Sequence, residues 1–481
     1  MNRKFLTNLL LLILLNLLVK PFWVFGIDRT VQNVVGAEQY GFYFALFNFS
    51  LILNILLDLG TTNYNNRNIS QNEHLLSLFF SNIFSLRLVL GVVYFTVSMI
   101  VAWLCDYNQR QITMLVFLSF NQFLLALILY LRSNLAGLQL FPIDSLMSVL
   151  DRFVLIVICS LLLWGNITDG PFRIEWFVLA QTGSYLFTAA VAFILVLFYS
   201  GHFRLKFDWH ISVAILKRSY PFALLSLLMS LYNRIDSVML ERLLPDGDVQ
   251  AGIYAQAFRI SDACCMFALL FANLLLPMFS RMLKQKQNVS QLVKLSTIAM
   301  MVPVVGGTIM CVFHREAIMD LLYYNHVHES ATIFAVLITG FVFISLTYIY
   351  GTLLTANGSL SKLNIIAACG VTINIVGNLI LIPRYQAIGA AYVSLATQSL
   401  TALAQITAAF SIFGFKFLGR TQFALLLYVI IVVLSGFAVT HFITNWIYSA
   451  ALMLAVAGIA SVALKLIKIR EVKELLSKSN D

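Results

Sequence analysis

The sequence is a succession of apolar runs, each long enough to cross a lipid bilayer, separated by short polar punctuation. A helix rises 1.5 Å per residue, so about 20 mostly apolar residues span the hydrocarbon layer. Runs of that kind lie near 5–26, 40–60, 75–104, 112–131, 143–165, 174–199, 219–243, 251–280, 291–313, 330–356, 361–382, 386–413, 422–443 and 446–467. Hydrocarbon offers no partner for a free backbone N–H or C=O, so each run is expected to be helical. The expected fold class is an all-α integral membrane protein with about 14 transmembrane helices. Composition agrees: 60% of the 481 residues are apolar and 11% charged, against roughly 25% charged in a soluble domain. No polar stretch approaches the ~100 residues of an extramembrane catalytic domain, which counts against most glycosyltransferases, kinases and ATP-driven pumps.

The first run follows Asn2-Arg3-Lys4 and resembles a signal peptide, but Gly26-Ile27-Asp28-Arg29 offers no small-x-small cleavage site, so it is read as a retained helix. Positively charged loops stay on the cytoplasmic side. With an even number of spans and the N-terminus inside, 20 of the 31 Lys and Arg fall in cytoplasmic segments, 6 in the opposite loops and 5 inside spans. The net charge of +10 is therefore mainly a topology signal, and it places both termini in the cytoplasm. A nucleic-acid partner would need a basic face on a soluble domain, and none is expected. The six cysteines lie in or beside apolar runs without metal-ligand or disulfide spacing, and are read as small buried hydrophobes.

The longest inter-helix loop, 200–218, follows the sixth span, and its alternating Phe203, Leu205, Phe207 and Trp209 suit an amphipathic connector in the cytoplasmic interface. It divides the chain into a six-helix lobe over 1–199, a linker over 200–218, a second six-helix lobe over 219–413, and two further helices with a basic tail over 414–481. A weak internal echo supports two pseudo-symmetric lobes. Ala37-Glu38-Gln39-Tyr40-Gly41-Phe42-Tyr43 opens the second span, Val249-Gln250-Ala251-Gly252-Ile253-Tyr254 the eighth, and Ala387-Ile388-Gly389-Ala390-Ala391-Tyr392 the twelfth. Glycine near a helix start also serves close helix packing.

These residues carry a family resemblance. Together with Leu57-Asp58-Leu59-Gly60, Tyr220-Pro221, Arg234-Ile235-Asp236, Leu276-Pro277, Asn357-Gly358, Asn374, Asn378 and Pro383, the motif from Gly36 to Tyr43 and its echoes resemble the polysaccharide biosynthesis, or O-antigen flippase (Wzx-type), family. That family belongs to the multidrug/oligosaccharidyl-lipid/polysaccharide exporter superfamily. The resemblance implies two six-helix lobes around a central cavity, with the last two helices as additions. It also implies the cargo, an undecaprenyl-pyrophosphate-linked oligosaccharide moved from the cytoplasmic to the periplasmic leaflet of the bacterial inner membrane for O-antigen, capsule or exopolysaccharide synthesis. Membrane lipids and the glycosyltransferases and polymerase of the same pathway are the partners it implies.

An ionisable group inside a span is costly unless it faces a cavity or a partner, so each is functional by default. The span cations are Lys20, Arg87, Arg152, Arg234 and Arg259. Lys20, Arg87, Arg234 and Arg259 are assigned to the cavity, where guanidinium groups suit pyrophosphate oxygens. Arg152, beside Asp151, is assigned to structure, with a side chain that snorkels to the interface. Arg259 and Asp262 share a helix face, whereas Arg234 and Asp236 project about 200° apart. Asp236 and Asp262 are the candidates for proton or sodium coupling. Asp58 sits near a span end, where capping competes with coupling. Asn48, Asn54, Asn121, Asn273, Asn374 and Asn378 suit sugar hydroxyls or, more often, helix contacts.

No phosphate-binding loop and no His-Glu-x-x-His occurs, and His326-Val327-His328 with Glu329 is read as adventitious, so neither metal nor cofactor is expected. The energy source expected is a proton or sodium gradient. A cation-coupled multidrug exporter would want an acidic cavity, while span cations here outnumber the two strongest span carboxylates. A lipid-linked peptidoglycan precursor flippase shares the fourteen-helix plan and stays open as an alternative. An O-antigen polymerase or ligase would carry a large periplasmic loop, whereas the longest here, 314–329, has 16 residues.

Overall fold

The computed structural model describes residues 18–62, 65, 69, 76–165, 170–200, 209–415 and 419–466. Every regular element among them is helical. A π-helical segment, Phe22–Asp28, leads into α1 (Arg29–Ile52), followed by α2 (Ile55–Asp58), α3 (Leu76–Leu104), α4 (Gln109–Gly137), α5 (Phe141–Trp164), α6 (Ile174–Ser200) and α7 (Trp209–Leu243). Then come α8 (Gly247–Lys284), α9 (Ser290–Phe313), α10 (Arg315–Leu322), α11 (Val327–Ala356), α12 (Leu360–Phe413), α13 (Arg420–Phe442) and α14 (Trp446–Ala463). Among the described residues, 11 helices are long and apolar enough to cross a membrane.

This number counts the 54-residue α12 once and leaves α1 out, and a break within each of these two helices relates it to the expected spans. Gly36 takes φ 79° and ψ 170° inside α1, and Gln386 takes φ 53° and ψ −138° inside the 54-residue α12. Each helix therefore turns through a single residue and supplies two spans. The sequence reading ended the first span at residue 26 and opened the second at 40; instead helix runs to Gly36 and resumes at Ala37. Nothing lies within 4 Å of a Cβ built on Gly36, so what the position requires is the left-handed backbone. The part of the first span before residue 18 lies outside the described residues, as do residues 201–208 of the expected linker and the tail from 467. The remainder of that linker, from Trp209, forms the first turns of α7.

The chain divides into two compact units, Met1–Ala255 and Gln256–Asp481, the boundary falling within α8. In the first, α1 packs on α4, α6 and α7, and α4 on α6. Phe80, Ile83, Tyr130, Leu131, Met147, Ala192 and Val196 form a core from α3, α4, α5 and α6. In the second, α11 packs along α12 and against α9, while α13 and α14 dock on α9 through Val302, Val305, Tyr428, Val432, Ala457 and Ala460. The Tyr428 hydroxyl donates to the Val302 carbonyl at 2.9 Å, so the two extra helices are anchored by a polar bond within an apolar seam.

The recurring glycine motif has a packing explanation. A Cβ at Gly41 would overlap the Asp248 carbonyl oxygen, and one at Gly252 would overlap the Ala37 carbonyl oxygen. The starts of α8 and of the post-Gly36 part of α1 thus meet backbone to backbone, each supplying one glycine. In the third copy, Gly389 lies against the carbonyl of Leu381 across the Gln386 break.

Candidate translocation site

Polar side chains inside the first unit sort into three groups. At the helix ends opposite the Lys- and Arg-rich loops, Gln32 Nε2 donates to the Gly252 carbonyl at 3.3 Å, beside the paired glycines. There Gln111 Nε2 donates to Glu241 Oε1 at 2.5 Å, and Arg242 Nη2 donates to Gln111 Oε1 at 2.9 Å. The Arg242 guanidinium stands 3.9 Å from the Tyr107 ring centroid. Arg110 Nη2 donates to Gln39 Oε1 at 2.6 Å and pairs with Glu175 at 2.9 Å, over the Phe42 ring. Residues from α1, α4, α6, α7 and α8 are thereby clamped together at one end.

The second group is two buried carboxylates, each facing a tyrosine. Asp28 lies 3.0 Å by both carboxylate oxygens from the Tyr40 hydroxyl, which donates to them, and the Tyr254 hydroxyl donates to Asp236 Oδ2 at 2.9 Å. Both acids are shielded from solvent. One pair joins the first and second spans, the other the seventh and eighth, so the two expected halves carry the same device. Asp236 was anticipated from sequence. Asp28 was not, because the first span was ended two residues short of it; the missing signal was Gly36, the residue able to stop the helix. Arg234 leaves Asp236 on another face, as the two-residue spacing requires, and its Nη1 lies 3.3 Å from Asn48 Oδ1.

The third group is the span cations. Arg87, 2% exposed, pairs with Asp58 and donates to the Leu57 carbonyl at 2.8 Å, the Ala126 carbonyl at 3.4 Å and Thr62 Oγ1 at 2.5 Å. The Tyr130 ring lies 5.4 Å from it. Asp58 also accepts from the Thr62 amide at 3.0 Å, so it is both cap and counter-ion. In this conformation Arg87 is committed to protein atoms rather than presented to a cavity. Arg152, assigned from sequence to the interface, instead lies inward: 5.3 Å from the Trp23 ring, 5.8 Å from the Tyr185 ring, and 3.2 Å by Nη1 from the Tyr185 hydroxyl. Lys20 is exposed on the helix that carries Trp23. In the second unit Arg259 and Asp262 are half-buried one turn apart on α8.

The asparagines mainly serve helix contacts: Asn54 Nδ2 donates to Gln122 at 2.8 Å, and Asn378 Nδ2 to Asn374 at 3.1 Å. His326 lies 2.8 Å from Glu329, and His328 3.3 Å from Glu316. Among the described residues no three His, Cys, Asp or Glu gather as a metal site. The second unit holds a pocket of about 550 Å³ at the start of α10, lined by His314, Arg315, Glu316 and Phe437. Burial holds the His314 imidazole below its ordinary pKa, and its Nε2 lies 3.1 Å from Ser449 Oγ.

A family model described as polysaccharide biosynthesis protein matches residues 5–283, more than half of the chain. The chain belongs to the polysaccharide biosynthesis protein family. Its fold is that of the multidrug/oligosaccharidyl-lipid/polysaccharide exporter superfamily. A lipid II flippase, MurJ, in an inward closed conformation is similar with a TM-score of 0.69 at 14% identity, over 96% of this chain and 99% of that one. A multidrug resistance MATE family transporter in an inward-facing conformation gives 0.61 at 16% identity, over 83% and 94%. The MATE transporter VcmN of Vibrio cholerae in its bent form gives 0.55 at 13% identity, over 84% and 95%. No curated protein matches the sequence. In this polysaccharide biosynthesis protein the family match spans the first unit from residue 5 onward and continues into the second, and so covers the clamp, both Asp–Tyr pairs and all five span cations.

Proposed function

We propose that the protein is a flippase that carries an undecaprenyl-pyrophosphate-linked oligosaccharide repeat unit from the cytoplasmic to the periplasmic leaflet by alternating access. Its product would feed O-antigen, capsule or exopolysaccharide synthesis, with the polymerase and glycosyltransferases of that pathway as functional partners. The observation that carries this reading is the set of cations at mid-span positions, Lys20, Arg234 and Arg259 among them, in a chain of this family. A sugar pyrophosphate entering a water-filled cavity needs such groups, while its polyprenyl tail stays in lipid. The Lys- and Arg-rich loops support a topology with both termini on the cytoplasmic side of a bacterial inner membrane. The clamp of Gln32, Gln111, Glu241 and Arg242 then lies at the periplasmic ends of its helices and holds them closed.

Translocation of a fluorescent lipid-linked oligosaccharide in proteoliposomes tests the reading. The native chain moves it, and Arg234→Ala and Arg259→Ala, each removing about 1.4 kcal/mol or more of anion binding, lower the rate about tenfold or more. Failure to move any lipid-linked sugar under a proton or sodium gradient, with uptake of cationic drugs instead, would establish the multidrug reading.

Coupling is placed on the carboxylates. Asp236, as the sequence suggests, and Asp28, which the geometry adds, are buried acids whose ionisation would oblige their tyrosines and helices to rearrange. Asp28→Asn and Asp236→Asn are expected to abolish the gradient-dependent part of transport while leaving slow downhill movement. Asp262→Asn, half-buried beside Arg259, is expected to keep a partial response. Initial rates with and without an imposed gradient read the difference.

A further inference from the structure

Two carboxylates, Glu241 and Asp248, stand at either end of the short hairpin that joins α7 to α8 at the clamped end of the first unit. Glu241, its side chain 7% exposed, is fully engaged: Oε1 accepts from Gln111 Nε2 at 2.5 Å, and Oε2 lies 2.9 Å from Arg242 Nε. Asp248 is treated differently. Its Oδ1 is buried, and among the described residues no hydrogen bond reaches that atom. The charges facing Asp248 are those of Glu38 on α1, Arg110 on α4 and Arg242 on α7, and Glu241 in turn faces Arg242 and Asp248. Tyr107, under the Arg242 guanidinium, faces Glu241 and Cys105. Arg110 is half-exposed and held by Glu175, which Arg173 also faces. Two buried-side acids therefore share one committed guanidinium, and only Asp248 has an oxygen to spare.

Part of this environment exists only while the helices are together. Gly41 of α1 lies on the Asp248 carbonyl oxygen, so the packing of α1 on the start of α8 brings Glu38 to Asp248 and takes water from its carboxylate. Glu241 and Arg242 stay with Asp248 in either case, because the hairpin ties them to it. Parting of α1 from α8 hydrates Asp248 and removes the like charge of Glu38, and both changes favour the ionised acid. Arg110 leaves as well, but its charge is already met by Glu175 and screened by water. We propose that Asp248 is a proton-binding site of this seal, taking a proton from the adjoining water when α1 closes on α8 and releasing it when they part. The inference rests on the flippase reading only for its place in the cycle, where acid on the periplasmic side would return the emptied carrier to its sealed form. A group that binds its proton more tightly in the closed form stabilises that form at low pH, and the contribution is lost as pH rises. Each unit of difference in proton affinity shifts the balance about tenfold.

The test is a distance measurement between spin labels on cysteines at Gln109 and Pro245, both exposed, in the full chain freed of its native cysteines and held in nanodiscs without substrate. The ratio of separated to closed molecules is expected to rise about tenfold from about pH 5 to about pH 8. Asp248→Asn, which keeps the shape of the protonated acid, holds the closed value at every pH. Glu38→Gln moves the midpoint to lower pH and shrinks the change, and it keeps the test open should Asp248→Asn fail to fold. Asp246→Asn, whose exposed carboxylate bonds Gln250 at 3.0 Å, changes nothing. A parental ratio that ignores pH overturns the proposal, as does a midpoint unmoved by Glu38→Gln. A response that survives Asp248→Asn and vanishes in Glu241→Gln overturns it too, by moving the proton to Glu241. The pH response of a chain that moves no lipid-linked sugar would overturn the flippase reading and leave the proton site standing, whereas a flat response in a chain that moves it would overturn the proton site alone.

Discussion

Gly252→Ala is expected to slow translocation severely in a protein that still folds. The added methyl would fall on the carbonyl oxygen of Ala37, and Gly41→Ala would fall on that of Asp248 and within 2.5 Å of the Gly252 nitrogen. These are backbone atoms, so no rotamer change relieves the overlap and the two helices must part. Overpacking of this kind costs about 1–3 kcal/mol, and a two-state equilibrium biased by that amount moves roughly 5- to 150-fold. The displacement would also stretch the Gln32 bond to the Gly252 carbonyl and the Gln111–Glu241–Arg242 network beside it. A carrier that works by closing one end before opening the other then spends less time sealed at this end. Two measurements read the effect: the translocation rate, and labelling of a cysteine at Ala37 by an impermeant maleimide in a chain freed of its native cysteines. The rate falls and the labelling rises by similar factors. Wild-type values for both would show that the glycine contact has no part in closure.

That contact was half legible in the sequence. The Gly-x-Tyr echo marked both helices, and the need for close packing was among its readings, but a motif on one strand of sequence does not say which backbone it will meet. The spans themselves were legible because hydrocarbon imposes helix on any long apolar run. The break at Gln386 falls where the reading had parted the spans 361–382 and 386–413, whereas that at Gly36 falls inside the expected gap of 27–39, most of which is helix, so there the span ends were misplaced. Asp28 was lost for that reason: placed in an imagined loop, it showed none of the cost of a buried acid. Arg152 was misplaced for a different one. Its neighbour Asp151 and the flexible stem of arginine suggested a route to the interface, while Trp23 and Tyr185, which hold it inward, come from spans far apart in sequence.

Arg87 is a mid-span charge that the sequence reveals, and in the structure its partners are Asp58, Thr62 and two backbone carbonyls. A cavity cation and a structural clamp differ in what removal does. If Arg87 clamps α3 to the Asp58 turn, Arg87→Met leaves a carboxylate without its counter-ion and frees the Leu57 and Ala126 carbonyls. Removing one partner of a buried pair costs about 3–5 kcal/mol; Asp58 is 31% exposed, and water reaching it reduces the figure to about 2–3 kcal/mol. The expected result is a chain that melts several degrees lower in detergent and accumulates poorly. Arg87→Met combined with Asp58→Asn removes the stranded charge as well, and is expected to regain at least half of the lost stability with near-normal translocation per folded molecule. Arg87→Lys recovers less, since an ammonium cannot reach Asp58, Thr62 and two carbonyls at once. A cavity cation would behave in the opposite way: single and double variants would both melt like the parent, and both would lose substrate binding. Thermal unfolding followed in parallel with pyrophosphate-lipid binding separates the two, and the hydrogen bonds around the guanidinium favour the clamp.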